Sequence, residues 1–210
     1  MNLPVISFHQ NKVLFTADVP DCDKLSPGEK LGRAVEWGIH RRVSFRGADI
    51  GGLEMYDADL IGVDLSEAWL TGANLTGSRL TGARFTGPRL GHASLAMCDL
   101  TSAKLDGADL TFADMQFAKV KATKFDGAHM SGANLRGTGL IDGGCDDRGN
   151  RFVGWTDERE RLIVSEGHCA ALPLKEMRAR VGAPDYEGPR TNRMRVETVA
   201  MIARGDELPV

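Results

Sequence analysis

Residues 68–87 read AWLTGANLTGSRLTGARFTG, and this stretch repeats one five-residue pattern four times in succession. In each unit a small residue is followed two positions later by Leu or Phe, and the unit ends in Gly. A medium or large apolar residue recurs at every fifth position from Phe45 to Leu140, twenty times without a miss. A helix repeats at about 3.6 residues and a strand at about 2.0, so a period of five fits neither element alone.

An unbroken register of this length indicates stacked copies of one small unit, that is, a solenoid. Ala lies two positions before the large apolar residue in twelve of the twenty units. Gly lies two positions after it in eleven. The sequence therefore predicts a repeat domain over residues 43–142.

The repeat units resemble those of the pentapeptide-repeat family. The resemblance is carried by Ala48-Asp49-Ile50-Gly51-Gly52, Ala73-Asn74-Leu75-Thr76-Gly77, Ala108-Asp109-Leu110 and Ala133-Asn134-Leu135-Arg136-Gly137. It implies a mainly β protein, folded as a right-handed quadrilateral β-helix with four pentapeptides per turn and about five coils. It also implies that the central residue and the residue two before it point inward, and that the other three point outward.

Physical reasoning agrees with this geometry. Stacked coils are parallel ladders about 4.8 Å apart, and a narrow bore holds one large and one small side chain per side. With four units per turn, residues twenty apart are vertical neighbours. One predicted column alternates Phe with Leu; its members are Phe45, Leu65, Phe85, Leu105 and Phe125. Gly suits the corners because it accepts dihedral angles that other residues resist.

Residues 1–42 are predicted to form an N-terminal cap. Pro4–Phe8 and Lys12–Thr16 have the composition of a β-hairpin. Ser26 followed by Pro27 is typical of a helix N-terminus, and apolar residues at helical spacing continue to His40. We expect this helix to cover the first coil, which would otherwise expose unpaired backbone groups.

Residues 143–210 are predicted to form a small α/β segment. Gly143-Gly144 is expected to end the register. The predicted elements are strands at Arg151–Trp155 and Arg161–Ser165 and helices at Pro173–Val181 and Asn192–Arg204, the last with Asn192 as N-cap. This tail is similar to C-terminal segments that accompany pentapeptide repeats in phage and prophage proteins.

Composition narrows the function classes. Lys and Arg number 26 and Asp and Glu 29, giving a net charge of −3, and no segment is strongly one-signed. This argues against a large nucleic-acid surface. Without an apolar run near 18 residues or a signal peptide, we expect a cytoplasmic protein with no membrane association. The four cysteines lie far apart, so neither a disulfide framework nor a zinc site is expected, and no cofactor is implied.

Two charged clusters are candidate interaction surfaces. The first coil is acidic, at Asp49, Glu54, Asp57, Asp59, Asp64 and Glu67. The family resemblance suggests that such a zone can imitate duplex DNA toward an enzyme such as gyrase. Later coils are basic, at Arg79, Arg84, Arg89, Lys104, Lys119, Lys121 and Lys124, which departs from that pattern. The alternative in both cases is charge distributed for solubility.

The third candidate surface is apolar. Met97, Phe112 and Phe117 occupy corner positions where Gly is usual, and Trp69 also points outward in the predicted register. Exposed aromatic residues on a soluble rod usually have a cover. We expect either the C-terminal segment of the same chain or a second subunit to cover them.

No catalytic constellation stands out. His129 would stack over Asp109 near Ser131, at ordinary outward positions, and the glycine-rich units open no helix as a phosphate loop does. The interpretation is a non-catalytic protein-interaction module, specifically a phage or prophage accessory factor that binds a host DNA-handling enzyme such as a topoisomerase. The alternative is a structural or assembly protein that forms a homodimer or larger homo-oligomer through its C-terminal segment.

Overall fold

The computed structural model describes residues 1–20, 22–145, 151–156, 162–166, 172–182, 196–197, 199–200 and 203. Its strands are β1 (Asn2–Ile6), β2 (Val13–Asp18), β3 (Ile141–Cys145), β4 (Arg151–Thr156), β5 (Leu162–Glu166) and β6 (Leu172–Pro173). The helices with defined bounds are α1 (Pro27–His40) and α2 (Leu174–Gly182). Between α1 and β3 the chain is built from turns and single-residue bridges.

Those bridges define a four-sided β-helix, because each joins two residues twenty positions apart in parallel. We name the sides by their bridge residues. Side A carries residues 49, 69, 89, 109 and 129; side B 54, 74, 94, 114 and 134; side C 59, 79, 99 and 119; side D 64, 84, 104 and 124. Four pentapeptides therefore complete one turn, as the family resemblance implies.

The inward side chains fill the bore. The predicted column of Phe45, Leu65, Phe85, Leu105 and Phe125 is buried, with every member at most 2% exposed. The Ala residues two positions before the central residues are buried beside them in nearly every unit, so one large and one small side chain fill each side. Close packing of this kind leaves the outward side chains to form the surface of the rod.

The corners have left-handed backbone conformation. Gly72 and Gly82 have φ of 68° and 67°. Met97, Phe112 and Phe117 adopt the same conformation, with φ of 58°, 56° and 57°. Non-glycine residues in this region cost free energy, of order 1 kcal/mol each. The rod therefore keeps these three large side chains at positions where Gly would be less strained.

Both parts of the N-terminal region cover the first coil. The amide of Asp49 donates to the carbonyl of Ile6 at 2.8 Å, and the amide of Glu54 donates to the carbonyl of Gly28 in α1 at 3.1 Å. The hairpin was predicted as Pro4–Phe8 and Lys12–Thr16, but β1 ends at Ile6. Ser7 still bonds within the hairpin turn, where its amide donates to the carbonyl of Lys12 at 2.7 Å, and it also pairs with Ala48 of the rod.

Helix α1 spans Pro27–His40 and begins with a capping box. The side chain of Ser26 accepts from the amide of Glu29 at 3.0 Å, and the Glu29 carboxylate accepts from the amide of Ser26 at 2.7 Å. This reciprocal pair satisfies two amide donors at the helix N-terminus. The bounds match those expected from the sequence, because the signal is local.

Replacing Ser26 by Ala removes the hydroxyl acceptor of this box. We expect the free energy of unfolding to fall by about 1 kcal/mol. Urea denaturation followed by circular dichroism would measure it, with Thr86→Ala on exposed side D as the control, expected to change stability by less than about 0.5 kcal/mol. Equal effects of the two changes would show that the box does not stabilise the protein.

The C-terminal segment forms a four-stranded antiparallel sheet in the order β3-β4-β5-β6. The glycines predicted to end the register at 143–144 lie inside β3, whose pairing with β4 shifts between Asp142 and Gly144. The repeat itself stops at Leu140. Strands β4 and β5 and helix α2 lie close to the predicted elements.

The sheet lies between the end of the rod and a second small core. Val153 belongs to the core cluster that includes Met130 and Leu135 of the rod. Its neighbour Phe152 belongs instead to a cluster with Val164, Met177, Val196 and Val199. Adjacent residues of a strand point to opposite faces, which explains the division. The described part of this segment therefore covers the C-terminal end of the rod.

Of the second predicted C-terminal helix, residues 196, 197, 199, 200 and 203 are helical, whereas its predicted N-cap Asn192 and the predicted strand residue Arg161 lie outside the described residues. Arg178 of α2 makes a double hydrogen bond with the carboxylate of Glu197, at 2.7 and 2.5 Å. Among the described residues, no helix has the length and apolar character needed to cross a membrane.

Candidate interaction surface

Side B has the composition of a binding face. Its outward residues, in five rows from the N-terminal end, are Glu54 and Tyr56, Asn74 and Thr76, Ser94 and Ala96, Asp114 and Gln116, and Asn134 and Arg136. Three of these ten residues are charged, as are three of the ten on side A. On side D seven of ten are charged, namely Arg46, Asp64, Arg84, Lys104, Asp106, Lys124 and Asp126. Depletion of charge distinguishes the centre of protein interfaces from ordinary surface.

The polar groups of side B bond to one another. Thr76 Oγ1 lies 2.7 Å from Asn74 Oδ1 and 2.8 Å from Ser94 Oγ. Asp114 accepts from Gln116 Nε2 at 3.0 Å and from Asn134 Nδ2 at 3.0 Å. These bonds hold the side chains close to the ladder, so the face is flat and its polar groups need few partners from outside.

Apolar side chains flank side B at both corners. Met97 and Phe117 lie at the corner toward side C and are 60% and 52% exposed, and Phe112 lies at the corner toward side A and is 58% exposed. Their outward position agrees with the sequence register. The expectation that the chain's own C-terminal segment covers them is wrong for the described residues, because the sheet β3–β6 packs on the end of the rod.

The two rings lie flat along the rod. Phe112 lies over Gly132 and Phe117 over Gly137, one turn further on, where an added Cβ would collide with the ring. His92 stacks on Phe112 at 5.2 Å between ring centroids. The guanidinium of Arg136 lies 5.7 Å from the centre of the Phe117 ring. These contacts fix the orientation of the rings, and more than half of each side chain stays exposed.

Replacing Gly132 by Ala tests this arrangement. The position has φ of +67°, so any Cβ brings strain, and here the Cβ would also displace the Phe112 ring. We expect the free energy of unfolding to fall by about 2 kcal/mol.

The matched control is Gly82→Ala, which has the same φ of +67° but no atom within 4 Å of the added Cβ. It should lose only the backbone term, about 1 kcal/mol. Urea denaturation of both variants gives the difference. If they were equally destabilised, the Phe112 ring would not be held over Gly132.

Three acidic residues of the first-coil cluster lie near arginines of a neighbouring coil. Asp59 contacts Arg79 at 3.0 Å and Glu67 contacts Arg46 at 2.5 Å. Burial opposes the ionisation of Asp64, but hydrogen bonds from Ser66 and the charges of two arginines outweigh it and hold the pKa of this carboxyl below its ordinary value. The acidic cluster is therefore interrupted by positive charge.

The three remaining acids are held in other ways. Glu54 packs against Gly28 of α1, and the carboxylate of Asp57 lies over Gly77. Asp49 Oδ1 lies 3.5 Å from the amide of Gly51. A continuous surface resembling the phosphates of DNA is not formed by the described residues of this coil.

The basic residues separate onto different sides. On side D, Arg84, Lys104 and Lys124 are exposed and lie one above another. On side C the charges alternate, with Arg79 above Asp99 and Lys119 below it, the last two 4.0 Å apart. Hydrogen bonds from Thr101, with a smaller contribution from Lys119, lower the pKa of Asp99 below its ordinary value.

Trp69 is half-buried rather than free. The Phe8 ring lies 3.9 Å from it between centroids, and the Arg89 guanidinium lies over it at 4.7 Å. Phe8 follows β1, so the hairpin region supplies this cover. No feature of the sequence assigned Phe8 to Trp69, because the contact depends on how the hairpin joins the rod.

The structure adds one cleft that the sequence did not suggest. It lies between α1 and the first coil, has a volume of about 520 Å³, and is lined on the two sides by Glu29, Glu36, Glu54, Asp57 and Asp59, together with Arg33 and His40.

The described residues contain no group of His, Cys, Asp and Glu placed to hold a metal ion. Asp109 and His129 are bridge partners on side A, and Asp109 accepts from Thr111 at 2.5 Å.

Comparison with known proteins agrees with the repeat. The family model described as "Pentapeptide repeats" matches residues 41–77, 78–116 and 113–142, in 8 copies. None of the curated proteins searched matches the chain.

Several solved structures are similar over the same part of the chain. A pentapeptide repeat protein from Nostoc Pcc 7120 is 33% identical, over 43% of this chain and 71% of that one, with a TM-score of 0.39. One from the Arabidopsis thaliana thylakoid lumen is 30% identical, over 44% and 64%, with a TM-score of 0.26. QnrB1, a plasmid-mediated fluoroquinolone resistance protein, is 14% identical, over 42% and 53%, with a TM-score of 0.24.

Proposed function

The chain belongs to the pentapeptide-repeat family, and on that basis we propose that it is a non-catalytic module that binds a protein through side B and its apolar corners. Proteins of this family are typically structural or interaction proteins rather than enzymes. In this proposal, residues 1–42 are an N-terminal cap, residues 43–142 a right-handed rod of about five coils, and residues 143–210 a C-terminal α/β segment. The place of action that fits this composition is the cytoplasm.

One observation carries the proposal: Met97, Phe112 and Phe117 remain exposed beside the flat face in left-handed conformation. At each corner Gly would be less strained, and a polar residue would be better solvated. Their joint presence on either side of a charge-depleted face is the composition of an interface centre.

The scaffold suits this role. The ladders between coils satisfy the backbone groups, as in the bond from the amide of Leu95 to the carbonyl of Asp114 at 2.7 Å. Outward side chains are therefore presented at fixed spacing on a rigid support. Binding to such a surface loses little conformational entropy, because the surface is ordered in advance.

Capture experiments test the proposal. The immobilised wild-type chain should retain a protein partner, and the Phe112→Asp, Phe117→Asp double variant should lose it. Ile61→Asp is the matched control, since Ile61 is an outward apolar residue, 46% exposed, on side C. Loss of binding in the control alone, or in neither variant, would remove side B from the proposed function.

The family resemblance extends the proposal to a specific partner. A phage or prophage accessory factor of this kind would bind a host DNA-handling enzyme, such as a topoisomerase. Inhibition of gyrase supercoiling by micromolar protein would support this partner. The absence of inhibition would exclude gyrase and leave the interaction module itself in place.

The second candidate function is assembly, favoured by the same exposed corners. The sequence predicts that the C-terminal segment makes the contact between subunits. The described residues of that segment already pack on the rod through Val153 and form their own core around Phe152. Light scattering of the intact chain, compared with a variant carrying changes on side B, separates assembly through the tail from assembly through the rod.

A further inference from the structure

We propose that the partner of side B is side B of a second copy, with the two rods antiparallel. This inference rests on the proposed function and names the occupant of the same surface. The axis that relates the copies runs along the third row, through Ser94 and Ala96. The first row of each copy then meets the fifth row of the other, and the second row meets the fourth.

Charge complementarity selects the antiparallel arrangement. Side B is acidic at its first row, where Glu54 and the corner residue Asp57 flank Tyr56, and basic at its fifth row, where Arg136 lies. In the antiparallel pair, Arg136 of each copy lies opposite the Tyr56 ring of the other, between the two carboxylates. A parallel pair would instead bring Arg136 beside Arg136 and Glu54 beside Glu54.

The inner rows are also self-complementary. Asp114 of the fourth row lies opposite Asn74 of the second, so a carboxylate meets an amide that can donate to it. The small residue Ser94 lies on the axis, where identical residues must meet, and its neighbour Ala96 is buried. Small side chains there allow the two flat faces to approach closely.

The apolar corners fit the same register. In the antiparallel pair, Phe112 lies opposite Gly72, and Met97 meets Met97. Phe117 lies opposite Gly77 and the Asp57 carboxylate that covers it. A Cβ added at Gly72 would have no atom within 4 Å, so this corner is open to a ring from outside the chain.

The face is small for an interface between proteins. Five rows about 4.8 Å apart and a strand of about five residues give roughly 24 by 17 Å, or about 400 Å² per copy. Stable complexes bury about 800 Å² per partner. We therefore expect a reversible dimer in the micromolar range, and its population should rise with protein concentration.

Sedimentation equilibrium over a series of micromolar concentrations tests the association. The wild-type chain should approach twice its monomer mass. The Phe112→Asp, Phe117→Asp variant should raise the dissociation constant by at least tenfold, and the Ile61→Asp control on side C should leave it within twofold. A wild-type chain that stays monomeric throughout would overturn the inference.

A charge exchange tests the register. Arg136→Glu and Asp57→Lys should each weaken the homodimer at least fivefold, because each places like charges opposite one another. An equimolar mixture of the two variants should restore association. In the mixed dimer, position 136 of each chain again lies opposite a residue of the other charge at position 57. Circular dichroism establishes that each variant is folded. No recovery in the mixture of two folded variants would overturn the antiparallel register.

A cysteine at the axis tests the geometry directly. Ser94→Cys should form a disulfide with its own counterpart under mild oxidation, whereas Thr86→Cys on side D should not exceed the background of the wild-type chain.

If Phe112 and Phe117 are needed for capture of a different protein while the chain stays monomeric, the inference fails and the proposed function stands. If the double variant changes neither mass nor capture, both fail.

Discussion

Replacing Phe85 by Ala is expected to lower the free energy of unfolding by about 3–5 kcal/mol, the cost of emptying a large buried site. Phe85 has no exposed surface and lies between Leu65 and Leu105 in one column. The backbone on either side is tied by hydrogen bonds, from Leu65 to Arg84 and from Phe85 to Lys104, at 2.8 and 2.7 Å. A rod fixed in this way cannot collapse into the cavity.

The control is Phe85→Leu, which gives the column a residue that already occupies the turns above and below. It should cost about 1–2 kcal/mol, because part of the volume remains filled. Urea denaturation followed by circular dichroism measures both variants. A loss below about 1 kcal/mol for Phe85→Ala would mean that the coils adjust freely, contrary to a close-packed bore.

The rod could be predicted from the sequence because its signals are local and repeated. The period of five identifies the inward positions, and the four-sided turn places residues twenty apart in contact. The ion pair of Asp59 with Arg79 obeys this rule, as does the alternation of Phe and Leu around Phe85. The start of α1 was predictable for a similar reason, since Ser26, Pro27 and Glu29 are adjacent in the sequence.

Contacts between the flanking segments and the rod could not be predicted in this way. The pairing of Ser7 with Ala48 and the stacking of Phe8 on Trp69 join residues with no repeat relation. The packing of Val153 on the rod core is of the same kind. Such contacts depend on tertiary docking, which no periodicity encodes.

The candidate surface is an intermediate case. The outward position of Met97, Phe112 and Phe117 followed from the register, but the low charge of side B is visible only when outward residues are sorted by side. The sequence contained that information, because the sides repeat every twenty residues. What the register does not contain is the position of the C-terminal segment. Of the two expected covers for the corners, that segment or a second subunit, the described residues of the segment do not supply the first.

Replacing Gly32 by Ala is expected to destabilise the protein, although the change favours an isolated helix by about 1 kcal/mol. Gly32 is buried in α1 and faces the first coil, where an added Cβ would collide with the backbone carbonyl oxygen of Glu54. A backbone atom cannot rotate away as a side chain can. The helix must shift, at a cost that we expect to exceed the helix gain and to leave a net loss of about 2 kcal/mol.

The same shift should loosen the hydrogen bond from the Glu54 amide to the Gly28 carbonyl, now 3.1 Å long. Hydrogen exchange at this amide should therefore accelerate in the variant, while the amide of Leu95 inside the rod should keep its protection. Arg33→Ala on the exposed face of α1 is the control and should change stability by less than about 0.5 kcal/mol. If Gly32→Ala instead raised stability, helix propensity would be the dominant effect. In that case α1 could not lie against the first coil, and the cover for the top of the rod would have to come from the hairpin alone.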